Sequence, residues 1–340
     1  MKGDDREGSR EAREALLAER RARLSAEQQA LLQARLRSRV PQAATTAGMA
    51  PASLVAIQPA GPRPPFFCVH PAGGDVLCFQ ALSHHLGPDQ PFYGLQSRGL
   101  GAGEEPLTSI EAMAAAYREE IARVSPGPYH LGGWSLGGAV VFELARQLAG
   151  SGGEVALLAI VDGTPGPWPH TGKDAPDADD ADDVHWLLDI ADYLERLWGV
   201  DLGLSAETLR ALSPEEQQRR FLAGLKQTPF AASAGPEPLA RLLRVFKTNV
   251  HAFRRYRPES YPGRITLFRP ATAESDSTDP AAIADIAMVA DPTIGWGALT
   301  PFPVTIETVP GDHISALAEP HVATLAGRLR TAIDEAQPTP

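Results

Sequence analysis

Cysteine is nearly missing from this chain of 340 residues: there are two, Cys68 and Cys78, both in apolar surroundings. Two cysteines cannot build a disulfide framework, and their setting fits reduced, buried thiols in a cytoplasmic protein. Long apolar runs are missing too. The longest, Val155–Val161, is far short of the ~20 residues that cross a bilayer, so no membrane partner is expected. The opening MKGDDREGSREAREA has no apolar core and does not read as a signal peptide. An excess of positive charge is also lacking. The formal net charge is −11, which argues against a nucleic-acid binder, since phosphate binding needs clustered Lys and Arg. No internal repeat stands out.

What is present suffices for a sizeable core: 43% of residues are hydrophobic and 21% charged. Residues 1–39 read as helix, with Leu16, Leu17, Leu24, Leu31, Leu32 and Leu36 recurring among Arg, Glu, Gln and Ala. Ser25 with Gln28 makes a capping box for a second helix there. Small residues and Pro without periodicity follow to residue 53, so 1–53 is expected to be a helical extension with a linker. A second domain, 54–340, begins at Leu54.

From Leu54 short apolar runs alternate with helical stretches, the pattern of an α/β sheet. The expected strands are Leu54–Ile57, Phe66–Val69, Phe92–Leu95, Tyr129–Gly132, Val155–Val161, Ile265–Phe268 and Val304–Val309. Thr108 with Glu111 suggests a capping box opening a helix to about Val124. Further helices are expected after Ser135 and from about Pro320 to Asp334. The alternation breaks over about 163–261, where an acidic run (Asp174–Asp183, read as solvated surface) precedes helices near 184–199, 206–225 and 237–256. Such a helical insertion reads as a lid.

The chemistry centres on Gly132-Gly133-Trp134-Ser135-Leu136-Gly137-Gly138. This is G-x-S-x-G between a strand and a helix, the context of a nucleophile elbow. The serine must stand on a sharp, strained turn, and the glycines on either side let strand and helix approach. The expected fold is therefore an α/β-hydrolase: a mostly parallel central sheet flanked by helices, with a helical lid. A rival exists, because Leu131-Gly132-Gly133-x-Ser135-Leu136 also resembles the serine site where carrier proteins receive phosphopantetheine. A carrier serine follows a loop, whereas this one follows an apolar strand. Gly137 and Gly138 would also weaken a carrier helix.

An acid and a histidine follow in hydrolase order. Asp162 ends the strand EVALLAIV and so emerges at the same sheet edge as Ser135, while His313, in VPGDH, follows the last strand. Asp291 and Asp312 are rivals for the acid, and His321 for the base. In the expected mechanism His313 takes the proton of Ser135 and Asp162 fixes the imidazole. The oxyanion needs two N–H donors. Leu136 offers one, and the loop His70-Pro71-Ala72-Gly73-Gly74 the other, from Ala72 or Gly73. Trp134 is expected against the lid or along the acyl channel, and Trp296 and Phe253 in the core.

With these motifs in place, the stretch from Leu54 to Ile333 resembles the thioesterase domains that end nonribosomal peptide and polyketide assembly lines. PFFCVHPAGG, FYGLQSRGL, PYHLGGWSLGG, ITLFR with IGWGAL, and VPGDH carry the likeness. The resemblance implies release of an acyl, peptidyl or polyketide chain from a carrier protein's phosphopantetheine thioester, through an acyl group on Ser135. Water, or an internal hydroxyl or amine that closes a ring, then resolves it. It also implies that the cofactor belongs to the partner carrier, and that the chain itself holds neither cofactor nor metal. Alternatives within the same chemistry are a standalone editing thioesterase that clears misprimed carriers, and a carboxylesterase. ARLSAEQQALLQARLR, within residues 1–39, resembles the docking segments between synthase modules and is expected to recruit an upstream carrier or module.

Overall fold

The computed structural model describes residues 53–166, 183–198, 201–225, 235–271 and 291–336. The expected N-terminal helices, the acidic run before Asp183 and the segment Ile286–Ala290 lie outside these residues.

Seven strands form a single sheet: β1 (Leu54–Gln58), β2 (Phe66–Val69), β3 (Phe92–Leu95), β4 (Tyr129–Trp134), β5 (Val155–Val161), β6 (Thr266–Pro270) and β7 (Thr305–Val309). Their spatial order is β1-β3-β2-β4-β5-β6-β7. Only β1 runs antiparallel, pairing with β3; every other neighbouring pair is parallel. The α/β-hydrolase expectation holds, and each expected strand is found with its ends moved by at most two residues.

The order reverses between β2 and β4, since the chain leaves β2 for β3 on one side and returns to β4 on the other. Open parallel sheets bind ligands at the C-terminal strand ends beside such a reversal. The loop 70–74 and Ser135 therefore flank that crevice for topological reasons.

Helices cover both faces because parallel strands must be buried on both sides. On one face α2 (Ile110–Ile121) and α3 (Leu136–Gly150) pack on Phe67, Val69 and Leu131. On the other, α1 (Gln80–Leu86) and α8 (Val322–Glu335) pack on Phe66, Cys68 and Phe268. Each fully buried Leu or Phe contributes about 1.5–3 kcal/mol. Both cysteines are buried and unpaired by disulfide.

The capping residue of α2 differs from expectation. Ser109, extended at φ −142° and ψ 151°, accepts a hydrogen bond from the Ala112 N–H at 3.1 Å. Thr108 is one residue too early to reach that donor. The cap satisfies one of the orphan donors at the helix start.

Among the described residues, four helices lie between β5 and β6: α4 (Asp183–Trp198), α5 (Ala206–Arg210), α6 (Pro214–Leu225) and α7 (Pro236–Arg255). The expected single helix over 206–225 is thus two. Ser213 breaks it: its N–H donates to Glu216 and its Oγ accepts the Glu216 N–H, a capping box followed by Pro214 at the first helical position. These helices share a hydrophobic core of their own, built around Trp186, Ile190, Leu209, Phe221 and Leu239. Among the described residues, no helix is long and apolar enough to cross a membrane.

Candidate active site

Four loops at the C-terminal ends of β2, β4, β5 and β7 build the site. Ser135, between β4 and α3, has φ 57° and ψ −126°, a conformation that non-glycine residues rarely adopt. Neighbouring backbone enforces it. The Ser135 N–H donates to the Val161 carbonyl at 3.0 Å, and the Ser135 carbonyl accepts from the Gly138 N–H at 2.9 Å. Holding such a conformation costs about 1–3 kcal/mol, and the surrounding sheet supplies it. The turn closes only because of glycine. A Cβ on Gly133 would stand 2.2 Å from the Gly137 carbonyl oxygen, and one on Gly137 2.5 Å from that of Val69.

Asp162 follows β5 and also has positive φ, 43°. Its N–H is held by the Phe268 carbonyl at 3.0 Å. His313 follows β7. Its Nδ1–H donates to Asp162 Oδ2 at 2.7 Å, and its Nε2 accepts from Ser135 Oγ at 3.1 Å. A carboxylate only accepts, so Asp162 fixes the tautomer that leaves Nε2 free to take a proton. The three residues singled out from the sequence meet in one unbroken relay. The site is open to a substrate: 33% of the His313 side chain and 20% of that of Asp162 are exposed.

The rival acids are occupied elsewhere. Asp312 braces the loop itself, its Oδ1 accepting from the Ile314 and Ser315 N–H groups at 3.0 and 2.8 Å. Asp291 accepts from the Thr293 N–H, the Thr293 hydroxyl and the Gly295 N–H, all within its own turn. His321 stands at the N-cap position of α8, with no hydrogen bond from its side chain to the helix start.

Trp134 corrects the expectation of a lid or channel residue. It is 1% exposed, packed in the core with Phe268, Val309 and Ile314, because it is the last β4 residue facing α8. Its indole N–H donates to the His313 carbonyl at 3.0 Å, and its ring lies 5.5 Å from the imidazole. Trp296 is core, as expected, and does the matching work for the acid: its indole N–H donates to the Gly163 carbonyl at 2.6 Å, one residue beyond Asp162. Two buried indoles thus anchor the loops that carry the histidine and the carboxylate. Sequence reading missed both roles, since a tryptophan's N–H partner is set by tertiary packing. Phe253 is partly buried against the same core.

The loop His70–Gly74 is tethered by its carbonyls. His70 is fully buried; its Nδ1–H donates to the Pro71 carbonyl at 2.7 Å and its Nε2 accepts from the Tyr117 hydroxyl at 2.8 Å. Burial lowers its pKa to about 4, so the ring stays neutral. The Pro71 carbonyl also accepts from the Gly74 N–H at 2.9 Å, closing a turn. Among the described residues, no acceptor is found for the N–H of Ala72, Gly73 or Leu136. These are the three expected oxyanion donors. Among the described residues there is also no cluster of His, Cys, Asp and Glu suited to a metal.

Comparison with known proteins adds the lineage. A family model described as "Thioesterase domain" matches residues 64–333. A dimodular nonribosomal peptide synthase of Bacillus subtilis (strain 168) is 36% identical over 220 residues, covering 64% of this chain and 8% of the synthase. Chondramide synthase of Chondromyces crocatus is 31% identical over 297 residues, covering 86% of this chain and 7% of that protein. The chain therefore spans less than a tenth of these relatives' length. Among solved structures, a holo four-domain nonribosomal peptide synthetase bound to AMP and glycine superposes with a TM-score of 0.69 at 30% identity, over 85% of this chain and 20% of that one. A Vlm2 thioesterase domain bound with a dodecadepsipeptide superposes with a TM-score of 0.56 at 25% identity, over 82% of this chain and 97% of that one. This chain belongs to the thioesterase domain family, and the proteins to which it is similar include nonribosomal peptide synthetases.

Proposed function

We propose that the chain is a serine hydrolase that releases an acyl, peptidyl or polyketide chain from the phosphopantetheine thioester of a carrier. The observation that carries the reading is the relay of Ser135 to His313 at 3.1 Å and His313 to Asp162 at 2.7 Å. It is set on a strained turn, and among the described residues no acceptor is found for the Leu136 N–H that follows the serine.

Ser135 Oγ attacks the thioester carbonyl carbon while His313 Nε2 takes its proton. Negative charge on the carbonyl oxygen is met by the N–H of Leu136 and one N–H from Ala72 or Gly73, each worth about 3–4 kcal/mol in the transition state. The C–S bond breaks, and His313 returns the proton to the leaving thiolate. The acyl-enzyme is then attacked by water, or by a hydroxyl or amine of the chain itself; His313 takes the attacker's proton and passes it to Ser135 Oγ. Asp162 stabilises the imidazolium in both halves. The chain's residues do the chemistry, and the phosphopantetheine arrives with the carrier. The depsipeptide bound to the related Vlm2 domain supports a long oligomeric acyl group, resolved by hydrolysis or by macrocyclisation, over a short misprimed one.

Residues 1–39 belong to the same reading as a docking segment for an upstream module, with 163–261 as the lid and a cytoplasmic setting. A fluorophosphonate should add once, on Ser135, by peptide mass. Candidate chains loaded as N-acetylcysteamine thioesters should turn over to acids or rings identified by mass. Adduct formation elsewhere, with the serine untouched, sinks the proposal.

A further inference from the structure

Asn249 lies in the middle of α7 and is 0% exposed. Its helical neighbours Val245 and Ala252 are also buried, so the amide stands on an otherwise apolar face. A buried amide costs stability unless it is paired. Both ends are paired with the sheet domain. Nδ2 donates to the Ala72 carbonyl at 2.9 Å, and Oδ1 lies 3.4 Å from Ser97 Oγ, whose one proton also has the Arg98 carbonyl as acceptor at 3.2 Å. A backbone carbonyl can only accept, which settles the orientation of the amide.

Around this bond α7 is pressed against the loop. A Cβ on Gly74, where φ is 82°, would stand 2.6 Å from Val245 Cγ1. The loop's carbonyls are held one by one. That of Pro71 is taken by the His70 ring and the Gly74 N–H, that of Ala72 by Asn249, and that of Gly74 by the Ser97 N–H at 2.8 Å. In a trans peptide the N–H points opposite to the C=O. Tying the Ala72 carbonyl therefore sets the direction of the Gly73 N–H, as tying that of Pro71 sets the Ala72 N–H. These are the donors for which no acceptor is found among the described residues. The tethers on Pro71 and Gly74 come from the sheet domain, whereas Asn249 comes from the helical insertion.

We infer that Asn249 is a positioning residue for the oxyanion loop, and that through it the seat of the helical insertion governs how well the site holds a negative oxygen. The inference rests on the proposed acyl-transfer function and deepens it. A misplacement of about 1 Å in a reacting group costs up to ~100-fold in rate.

The test is Asn249→Leu, similar in volume but without the donor. Active sites are counted by fluorophosphonate labelling, and constants are expressed per labelled site. We expect kcat on an N-acetylcysteamine thioester to fall on the order of 10- to 100-fold with KM little changed. The affinity for an alkyl boronic acid, which bonds to the serine and places an anionic oxygen in the hole, should fall by the same factor. Should Asn249→Leu fold poorly, Asn249→Ser, smaller and still polar, is read in the same way. Per-site kcat and boronate affinity both within 3-fold of the unsubstituted protein would overturn the inference, even with fewer sites labelled, because that is what a structural role alone predicts. Failure of the unsubstituted protein to label at Ser135 would remove the underlying function and this inference with it, a result distinct from a silent Asn249 variant.

Discussion

Ser135, Asp162 and His313 stand at the ends of parallel strands, each on a loop anchored by backbone bonds or a buried indole. Asn249 reaches the neighbouring loop 70–74 from within a helix, in a bundle that packs around its own core. The difference is instructive. Strand ends are fixed by the whole ladder behind them, so residues placed there can bear strain at φ 57° or 43°. A helical insertion is fixed chiefly by its own packing and by the few contacts along its seam. The sheet end can thus define the reacting geometry, while the insertion, in the proposed reading as a lid, defines what is admitted and how the loop 70–74 is held.

Substitutions at the two regions should break this contrast or sharpen it. The largest effect belongs to the relay. Ser135→Ala and His313→Ala should abolish nearly all turnover, and Asp162→Asn should lower kcat on the order of 10⁴-fold, with thermal stability little altered. A near-silent Asp162→Asn would dissolve the sheet-end half of the comparison. Next comes Phe221→Ala in the insertion core, where the side chain is fully buried. It should cost about 3–5 kcal/mol. By hydrogen exchange the loss should concentrate in residues 183–255, leaving the protection of β2, β4 and β5 intact. Uniform loss across the sheet would show that the two cores melt as one.

Acid should act on the sheet side through His70. Its folded pKa is about 4, against 6.5 for an ordinary histidine. Between those values the unfolded chain binds the extra proton, so this contribution is complete above pH 6.5 and fades as pH falls toward 4. The window corresponds to about 3 kcal/mol. Chemical denaturation at a series of pH values should show the slope, and His70→Gln should flatten it by nearly one proton. Smallest is Trp134→Phe, which keeps most of the packing and loses the bond to the His313 carbonyl. We expect about 1–3 kcal/mol of stability lost and a modest fall in kcat, separable by comparing melting with per-site turnover.

Sequence alone carried the strand ends because short-range signals agree there. Glycines flank Ser135, an apolar strand precedes it, and Asp162 and His313 each follow a strand. The errors fall where one residue or one helix turn decides. Thr108 and Ser109 both offer a hydroxyl, and only the backbone shows that Ser109 reaches Ala112. The break at Ser213 was written as S-P-E-E, a cap with proline behind it, inside a stretch otherwise periodic enough to read as one helix. Trp134 was misread because flanking the nucleophile in sequence does not mean facing the same side; strand alternation turns it toward α8. Asn249 gave the faintest trace, one amide on an apolar helix face, with its partner 177 residues away.

That the described helices of the insertion share a core of their own has a practical corollary for anyone wishing to alter what reaches the serine. An exchange of the bundle for a relative's has to preserve only its seam with the sheet domain, where Arg241 and Arg244 also reach Leu100, Glu104 and Glu105. What must travel with it is the footprint of one helix: a γ-branched-free, compact side chain such as valine opposite Gly74, and an amide one turn later that can grip the Ala72 carbonyl. A transplant lacking that pair would accept its new cargo and turn it over on the order of 10- to 100-fold more slowly.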